Sequence, residues 1–480
     1  MTLSRRKFLG GLGAATAAAA IAPLVRTRRA WGGGNATRRI VIVGIGGGLR
    51  TREALGMAEG ATMPNLFGRV PLIGGFGSGD AGDPVIAPEY AAAAPALVLP
   101  PPRATPLHAD GALVTNLRYA EGPPGHLQGH ACLVSGAYNQ LENRADARLP
   151  VPTIFELHRK AAGAPATDAW YLNVPGGFYR ALSSSGAPGY GPTYAGAYLS
   201  PPALLSPLVS IAATGVRDLD VSNGFTLPTI PRDPAEDAAA RGLTAVLDGN
   251  FPRYPADGVT VRADEADVAA IHDHLAEIFA DPTYQAFFPD AFGIGVRADD
   301  GGVDATADAL TVFHAERVLA KFQPSVLALT LLDIDACHDS FNGYLRGQQI
   351  ADACVAHLWR FIQSTDGLRD ETTMIVLPEH GRHLFGNGQH PDSYGRSGID
   401  HGQGDDGDRD VWMLALGPDV AAGTVVAPTG VTQSGRSSGR YETIDAVMTA
   451  MTLLGHGDVM ASELALGGAR PGLVIEEVLR

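Results

Sequence analysis

The stretch TTMIVLPEHGRH, residues 372–383, governs the reading of the fold. An apolar β-type run, residues 374–377, stops at Pro378 and is followed at once by Glu379 and His380. Buried parallel strands that deliver polar side chains at their C-terminal ends are how open α/β sheets build ligand and metal sites. The competing reading is a polar surface loop, and this stretch alone does not separate the two. What separates them is whether other segments send partners to the same place.

A second strand end has the same character. The apolar run 326–332 leads into Asp333, Asp335, His338 and Asp339. Three carboxylates and an imidazole are costly to gather unless something positive binds among them. Carboxylate oxygen with imidazole nitrogen suits zinc or a similar divalent ion, while a solvated loop whose aspartates cap the next helix is the plainer alternative. Residues 380–401 hold four of the fourteen histidines: His380, His383, His390 and His401. His401 follows Asp400 and precedes an acidic glycine loop, after which residues 411–416 read as another strand. No i, i+4 spacing joins these groups on one helix, so the sheet has to assemble any site they form. His383 and His390 lack a strand-end anchor and are expected at the surface or behind the ligands.

The surrounding pattern predicts an α/β fold, a mostly parallel central sheet flanked by helices. Residues 38–45 form a first buried strand running into glycines, but Gly44, Gly46 and Gly48 lack the third glycine of a dinucleotide turn. Residue 64 is a proline at a helix start, residues 126–138 a loop entering a small-residue helix, and Thr153 with Glu156 a capping box. Residues 170–174 read as a strand, and residues 264–280, 305–321, 344–363 and 442–454 as helices. Strand and helix alternate from 326 onward, which favours parallel packing. Residues 74–112 are expected to be irregular. Residues 183–263 are rich in proline and glycine around a helical island at 234–247, and read as an insertion in the middle third.

The chain has 480 residues and a formal net charge of −15. Its first 31 residues carry six basic groups and no acidic ones, so the remainder stands near −15 − 6 = −21. Nucleic acid, which needs basic surface, is excluded as a partner on this ground. Arg5-Arg6-Lys7 before a weakly apolar Gly/Ala run is the pattern of a bacterial twin-arginine export signal. Residues 1–33 are therefore expected to direct export to the periplasm or beyond, leaving 34–480 as one domain. No later stretch is apolar for long enough to span a bilayer. Cys132, Cys337 and Cys354 are too few for a disulfide framework and read as small buried hydrophobes.

Taken in order, these segments resemble the alkaline phosphatase-like superfamily of metal-dependent phosphatases, sulfatases and phosphomutases. VIVGIGGGLR is similar to that family's first strand and Asp-Gly-Leu-Arg turn, and Met63-Pro64-Asn65-Leu66 to its Thr-Pro-Asn-Leu. LVSGAY at 133–138 resembles the Thr-Gly segment beyond its nucleophile, and Val151 to Phe155 the start of its next helix. DIDACH resembles its Asp and His for one metal, PEHG its Asp-His-Gly for the second, and GIDHG its late His. GLRDETTMIVLPEHGR with the later IDHG most resembles a poorly characterised, twin-arginine-exported bacterial branch. The resemblance implies Asp335, His338 and His401 as ligands of one metal, and Glu379 and His380 at a second or shared position. One or two divalent ions, zinc foremost, are the implied cofactor. Arg382 and Arg50 are placed to hold an anionic substrate oxygen, or to pair with nearby carboxylates.

The chain departs from that pattern at two places. The family's metal-bridging Asp falls on Gly47, and its Ser/Thr nucleophile falls on His126, nine residues before Ser135. No Ser, Thr or Cys stands between Thr115 and Cys132 to replace it. The Asp-to-His spacing differs as well: Asp335 to His338 is three and Asp333 to His338 five, where four is usual. His126 is then open to three readings: a metal ligand, a nucleophile accepting a phosphoryl group, or a bystander to water activated by the ion. His130 either shares a helical face with His126 or packs beside Ser135 and Tyr138. The resulting expectation is a periplasmic metal-dependent hydrolase of phosphate, sulfate or related esters. Its alternative is a catalytically degenerate member that binds metal or an anionic ligand such as an envelope glycan.

Overall fold

The structure, a computed structural model, describes residues 36–480 except 57–60, 71, 74–84, 142–147, 174–177, 200, 202–219, 222–224, 227–253, 257–258, 298–302 and 403–404, with scattered positions only between 262 and 291. Its centre is an eight-stranded sheet. In chain order the strands are β1 (Arg39–Ile45), β2 (Ala112–Arg118), β3 (Ala169–Leu172), β4 (Ala197–Leu199), β5 (Val326–Leu331), β6 (Thr372–Pro378), β7 (Asp410–Leu416) and β8 (Thr424–Val426). Across the sheet they lie in the order β8-β2-β7-β6-β1-β5-β3-β4.

β1 shows why the sheet is buried on both faces. Its side chains alternate, so Val41, Val43 and Ile45 enter one apolar layer while Ile40 and Ile42 enter the other. The first layer is closed by α3 (Ala307–Phe322) and α4 (Phe341–Ser364), the second by α1 (His126–Ser135), α2 (Ile154–Ala162) and α5 (Thr443–Leu453). Side-chain caps fix where the first-layer helices begin: Thr306 accepts from Ala309 N–H and Ser340 from Gly343 N–H. On the other face Thr153 and Glu156 form the capping box expected from sequence. The three cysteines are free and buried.

β1 pairs in parallel with β5 and β6, β5 with β3, β3 with β4, and β2 with β8. One expectation needs correction. β7 is antiparallel to both β6 and β2, although the sequence pattern favoured parallel packing throughout the C-terminal part. The described residues of 379–409 contain no crossover helix, and without one the chain returns antiparallel beside the strand it left. The consequence is functional. β7 starts at the end of the sheet where β6 finishes, so the connecting loop stays over that end.

The proposed export signal, the helical island at 234–247 and most of the 183–263 and 264–280 segments lie outside the described residues. No helix among the described residues is long and apolar enough to cross a membrane.

Candidate metal centre

Four segments meet above the C-terminal ends of β1, β5 and β6. The short 3-10 turn Asp333–His338 after β5 carries Asp335 and His338. β6 ends in Pro378, and Glu379 and His380 follow, both fully buried. The loop from β6 to β7 brings Asp400 and His401. From the far side, β2 leads to α1, whose first residue is His126. Gly129 lets α1 lie this close, since a Cβ there would stand 2.9 Å from Glu379 Cβ.

Asp335 is the hub. His126 Nε2 is 3.3 Å from its Oδ2, and His338 Nε2 and His401 Nε2 are 3.3 and 3.8 Å from its Oδ1. Ligand atoms of these four residues all lie within 4.8 Å of one another, and a second group, His126 with Glu379 and His380, meets the same limit. Glu379 is packed tightly: Oε1 accepts from Gly47 N–H at 2.7 Å and from His126 Nδ1 at 2.7 Å, and His130 Nδ1 lies 2.7 Å from Oε2.

The hydrogen-bond partners fix the imidazole tautomers. Each Nδ1 faces a group that only accepts: His126 faces Glu379, His338 faces Asp400 at 2.8 Å, His380 faces the Gly381 carbonyl at 2.7 Å, and His401 faces the Pro124 carbonyl at 3.4 Å. Each neutral ring therefore presents a lone pair at Nε2. Three of those nitrogens stand within 3.8 Å of the Asp335 carboxylate, and acceptor beside acceptor is repulsive unless a proton or cation lies between. The buried Nε2 atoms of His380 and His401 have no hydrogen-bond partner among the described residues. A tetrahedral ion with bonds of about 2.0–2.2 Å spaces its ligand atoms about 3.3–3.5 Å apart. The His126 and His338 spacings of 3.3 Å from Asp335 match such an ion, while His401 stands wider at 3.8 Å and all four donors lie within 4.8 Å of one another.

Electrostatics agree. Burial opposes the His126 imidazolium, but Glu379 and Asp335 outweigh it and push its pKa up to about 10. Burial takes His401 the other way, to about 2, with His380 and His126 adding to the effect. Burial likewise works against ionised Glu379 and Asp335, yet the facing imidazoles hold both carboxyls below their ordinary range. Without an ion the cluster shares protons that a divalent cation would displace.

The remaining candidates each take one of the roles left open to them. Arg382 is fully buried and spends its donors on Gly48 O, Ile399 O and Asp335, so it braces the hub and does not face a substrate. Arg50 is directed to Glu53 and to the carbonyls of His383 and Leu384. Of the two roles open to these arginines, pairing within the protein is the one the geometry supports. Asp333 accepts from Asp308 N–H at the start of α3, away from the hub. His130 does not pack beside Ser135 and Tyr138 in place of the site: it lies against Glu379, and its i, i+4 relation to His126 was the available signal. Asp400, which orients His338, carries no sequence signal beyond its place next to His401. His383 is half-buried against Asp408, and His390 is exposed at positive φ.

Gly47 explains its own departure. Its φ is +86°, a conformation that side chains rarely adopt, and a Cβ there would stand 2.7 Å from Asp335 N. An aspartate does not fit at that strand end, because Asp335 occupies the space.

No family model and no curated protein sequence matches this chain. Solved structures that match it include members of the superfamily its motifs resemble. A mutant of the alkaline phosphatase PafA aligns over 92% of this chain and 99% of its own, at 10% identity and a TM-score of 0.43. The phosphonate monoester hydrolase of Agrobacterium radiobacter aligns over 87% of this chain and 73% of its own, at 13% identity and a TM-score of 0.39. An alkaline phosphatase superfamily protein from Vibrio parahaemolyticus aligns over 88% of this chain and 67% of its own, at 10% identity and a TM-score of 0.36.

Proposed function

We propose that this protein is a metal-dependent hydrolase of phosphate, sulfate or related esters, exported by its twin-arginine signal. The observation that carries the reading is the convergence of the His126, His338 and His401 Nε2 lone pairs on Asp335 at 3.3, 3.3 and 3.8 Å. A divalent ion held there would supply Lewis-acid chemistry, polarising an ester oxygen and lowering the pKa of water.

The chain's own groups do the rest. Arg382 fixes Asp335, Asp400 fixes the His338 ring and Glu379 fixes the His126 ring. The side chains of His338, Asp335 and His126 remain 37, 30 and 24% exposed, while those of Glu379, His380 and Arg382 are sealed, so an ester reaches the centre from the first three. His126 points Nε2 at the hub, which favours a ligand role over that of nucleophile. With no Ser, Thr or Cys between Thr115 and Cys132, water is the attacking group.

A second reading, binding without turnover, is favoured by Gly47 and by the imidazole where a hydroxyl is expected. One experiment separates them: metal analysis of the purified chain, with aryl phosphate, phosphodiester and sulfate substrates offered to wild type, Glu379→Ala and His126→Ala. Metal-dependent turnover lost in His126→Ala supports the hydrolase. Metal without turnover selects the binder, and protein without metal sinks both.

A further inference from the structure

Granted a metal at this centre, as proposed above, we infer that it is a single ion, and that Glu379 is a positioning residue for the ligand His126 and not itself a ligand. The motif resemblance would give two metal positions. The distances distinguish them. His126 Nε2 stands 3.3 Å from Asp335 Oδ2 and His338 Nε2 3.3 Å from Oδ1, each the separation of two ligand atoms on one tetrahedral ion. Around Glu379 the contacts are shorter: 2.7 Å to Gly47 N, 2.7 Å to His126 Nδ1 and 2.7 Å to His130 Nδ1. Those are charge-assisted hydrogen-bond and ion-pair distances, too close for atoms sharing an ion.

The second position also lacks donors. Gly47 brings no oxygen, and its φ of +86° with a virtual Cβ 2.7 Å from Asp335 N leaves no room for one. His126 Nδ1 is spent on Glu379. His380 turns Nδ1 to the Gly381 carbonyl, which leaves its Nε2, 3.2 Å from Glu379 Oε1, with the carboxylate as the remaining pair among the described residues. Two donors fall short of the three or four that protein zinc sites supply. His126 therefore stands where a nucleophile would be and serves as the third imidazole of a one-ion centre. Buried Glu379 fixes its tautomer and raises the basicity of Nε2, the carboxylate–histidine–metal arrangement. His130, one helical turn on, donates Nδ1–H to the His126 carbonyl at 2.7 Å and stands 2.7 Å from the other carboxylate oxygen.

The full chain, stripped with a chelator and dialysed against Zn²⁺, tests this by ion count and by zinc-edge X-ray absorption. One ion per chain with three imidazole nitrogens, an Asp335 oxygen and one solvent oxygen in the position the ester would take is the expected result. Glu379→Gln, whose amide oxygen can still accept from His126 Nδ1, should keep one ion with affinity reduced about 10–100-fold. Two ions per chain in wild type, or a first shell with fewer imidazoles, would overturn the single-ion assignment while leaving the metal reading intact. Complete loss of the ion in a folded Glu379→Gln protein would make Glu379 a ligand and overturn its positioning role. Wild-type protein that binds no Zn²⁺ would defeat the metal reading itself, and this inference with it.

Discussion

At the scale of single residues, the chemistry turns on Gly47 and His126, the two positions that broke the sequence pattern. Each departure makes sense only beside the other and beside Asp335, a relation in space that the sequence does not display. Gly47 gives up a carboxylate and lets Asp335 move in against its backbone; His126 brings an imidazole to the same carboxylate. Restoring the family's residue should therefore harm the protein. Gly47→Asp is expected to destabilise it by at least about 1–2 kcal/mol, the cost of a side chain at positive φ, before the clash with Asp335 is added. Urea denaturation of the two proteins checks this, and equal or greater stability of the variant would show that the close approach is not real. The arginines were illegible for a simpler reason. A guanidinium's charge is evident from sequence, but which acceptors it meets is decided by folding, and both Arg50 and Arg382 met acceptors within the protein.

At the scale of elements, the buried strands were legible because β-branched and aliphatic runs of the right length have few other uses. β1, β5, β6 and β7 all lie within the stretches expected of them, give or take a residue or two. The direction of β7 was not legible, since direction depends on the connection and not on the strand's own side chains. The Thr153–Glu156 capping box was legible, but the extent of Glu156's role was not. Its Oε2 accepts from Thr153 N–H and hydroxyl, while Oε1 accepts from Ser185 N–H, Ser185 hydroxyl and Gly191 N–H. One buried carboxylate thus caps α2 and ties down the segment after residue 183. Thr153→Ala should cost about 1 kcal/mol, as cap losses do. Glu156→Ala should cost about 3 kcal/mol or more, because it strands several buried donors at once. Similar losses in the two variants, measured by denaturant unfolding, would confine Glu156 to the helix cap.

At the scale of the whole molecule, two apolar layers enclose the sheet, and the layer beneath α3 contains imidazoles that have no part in the centre. His274 is buried against Trp170 and Phe322, and burial, with Lys321 adding to it, lowers its pKa from 6.5 to about 4. The unfolded chain takes up this proton near pH 6.5 and the folded chain only near pH 4, so the stabilising difference is complete above 6.5 and lost as pH falls through that window. At pH 5 the loss is about 2 kcal/mol, from about 1.4 kcal/mol per pH unit. His274→Gln should therefore gain on wild type by about that amount between pH 7.5 and pH 5 in urea denaturation, whereas a constant gap would contradict the burial. None of this reaches the centre, whose ligands come from the ends of β5 and β6, the loop before β7 and the first turn of α1. The most direct test of that assembly is anomalous diffraction at the zinc edge from crystals of the Zn²⁺-loaded chain. A peak within bonding distance of His126 Nε2, His338 Nε2, His401 Nε2 and an Asp335 oxygen is the predicted result; a map with no peak there, or with the ion bound elsewhere, would contradict it.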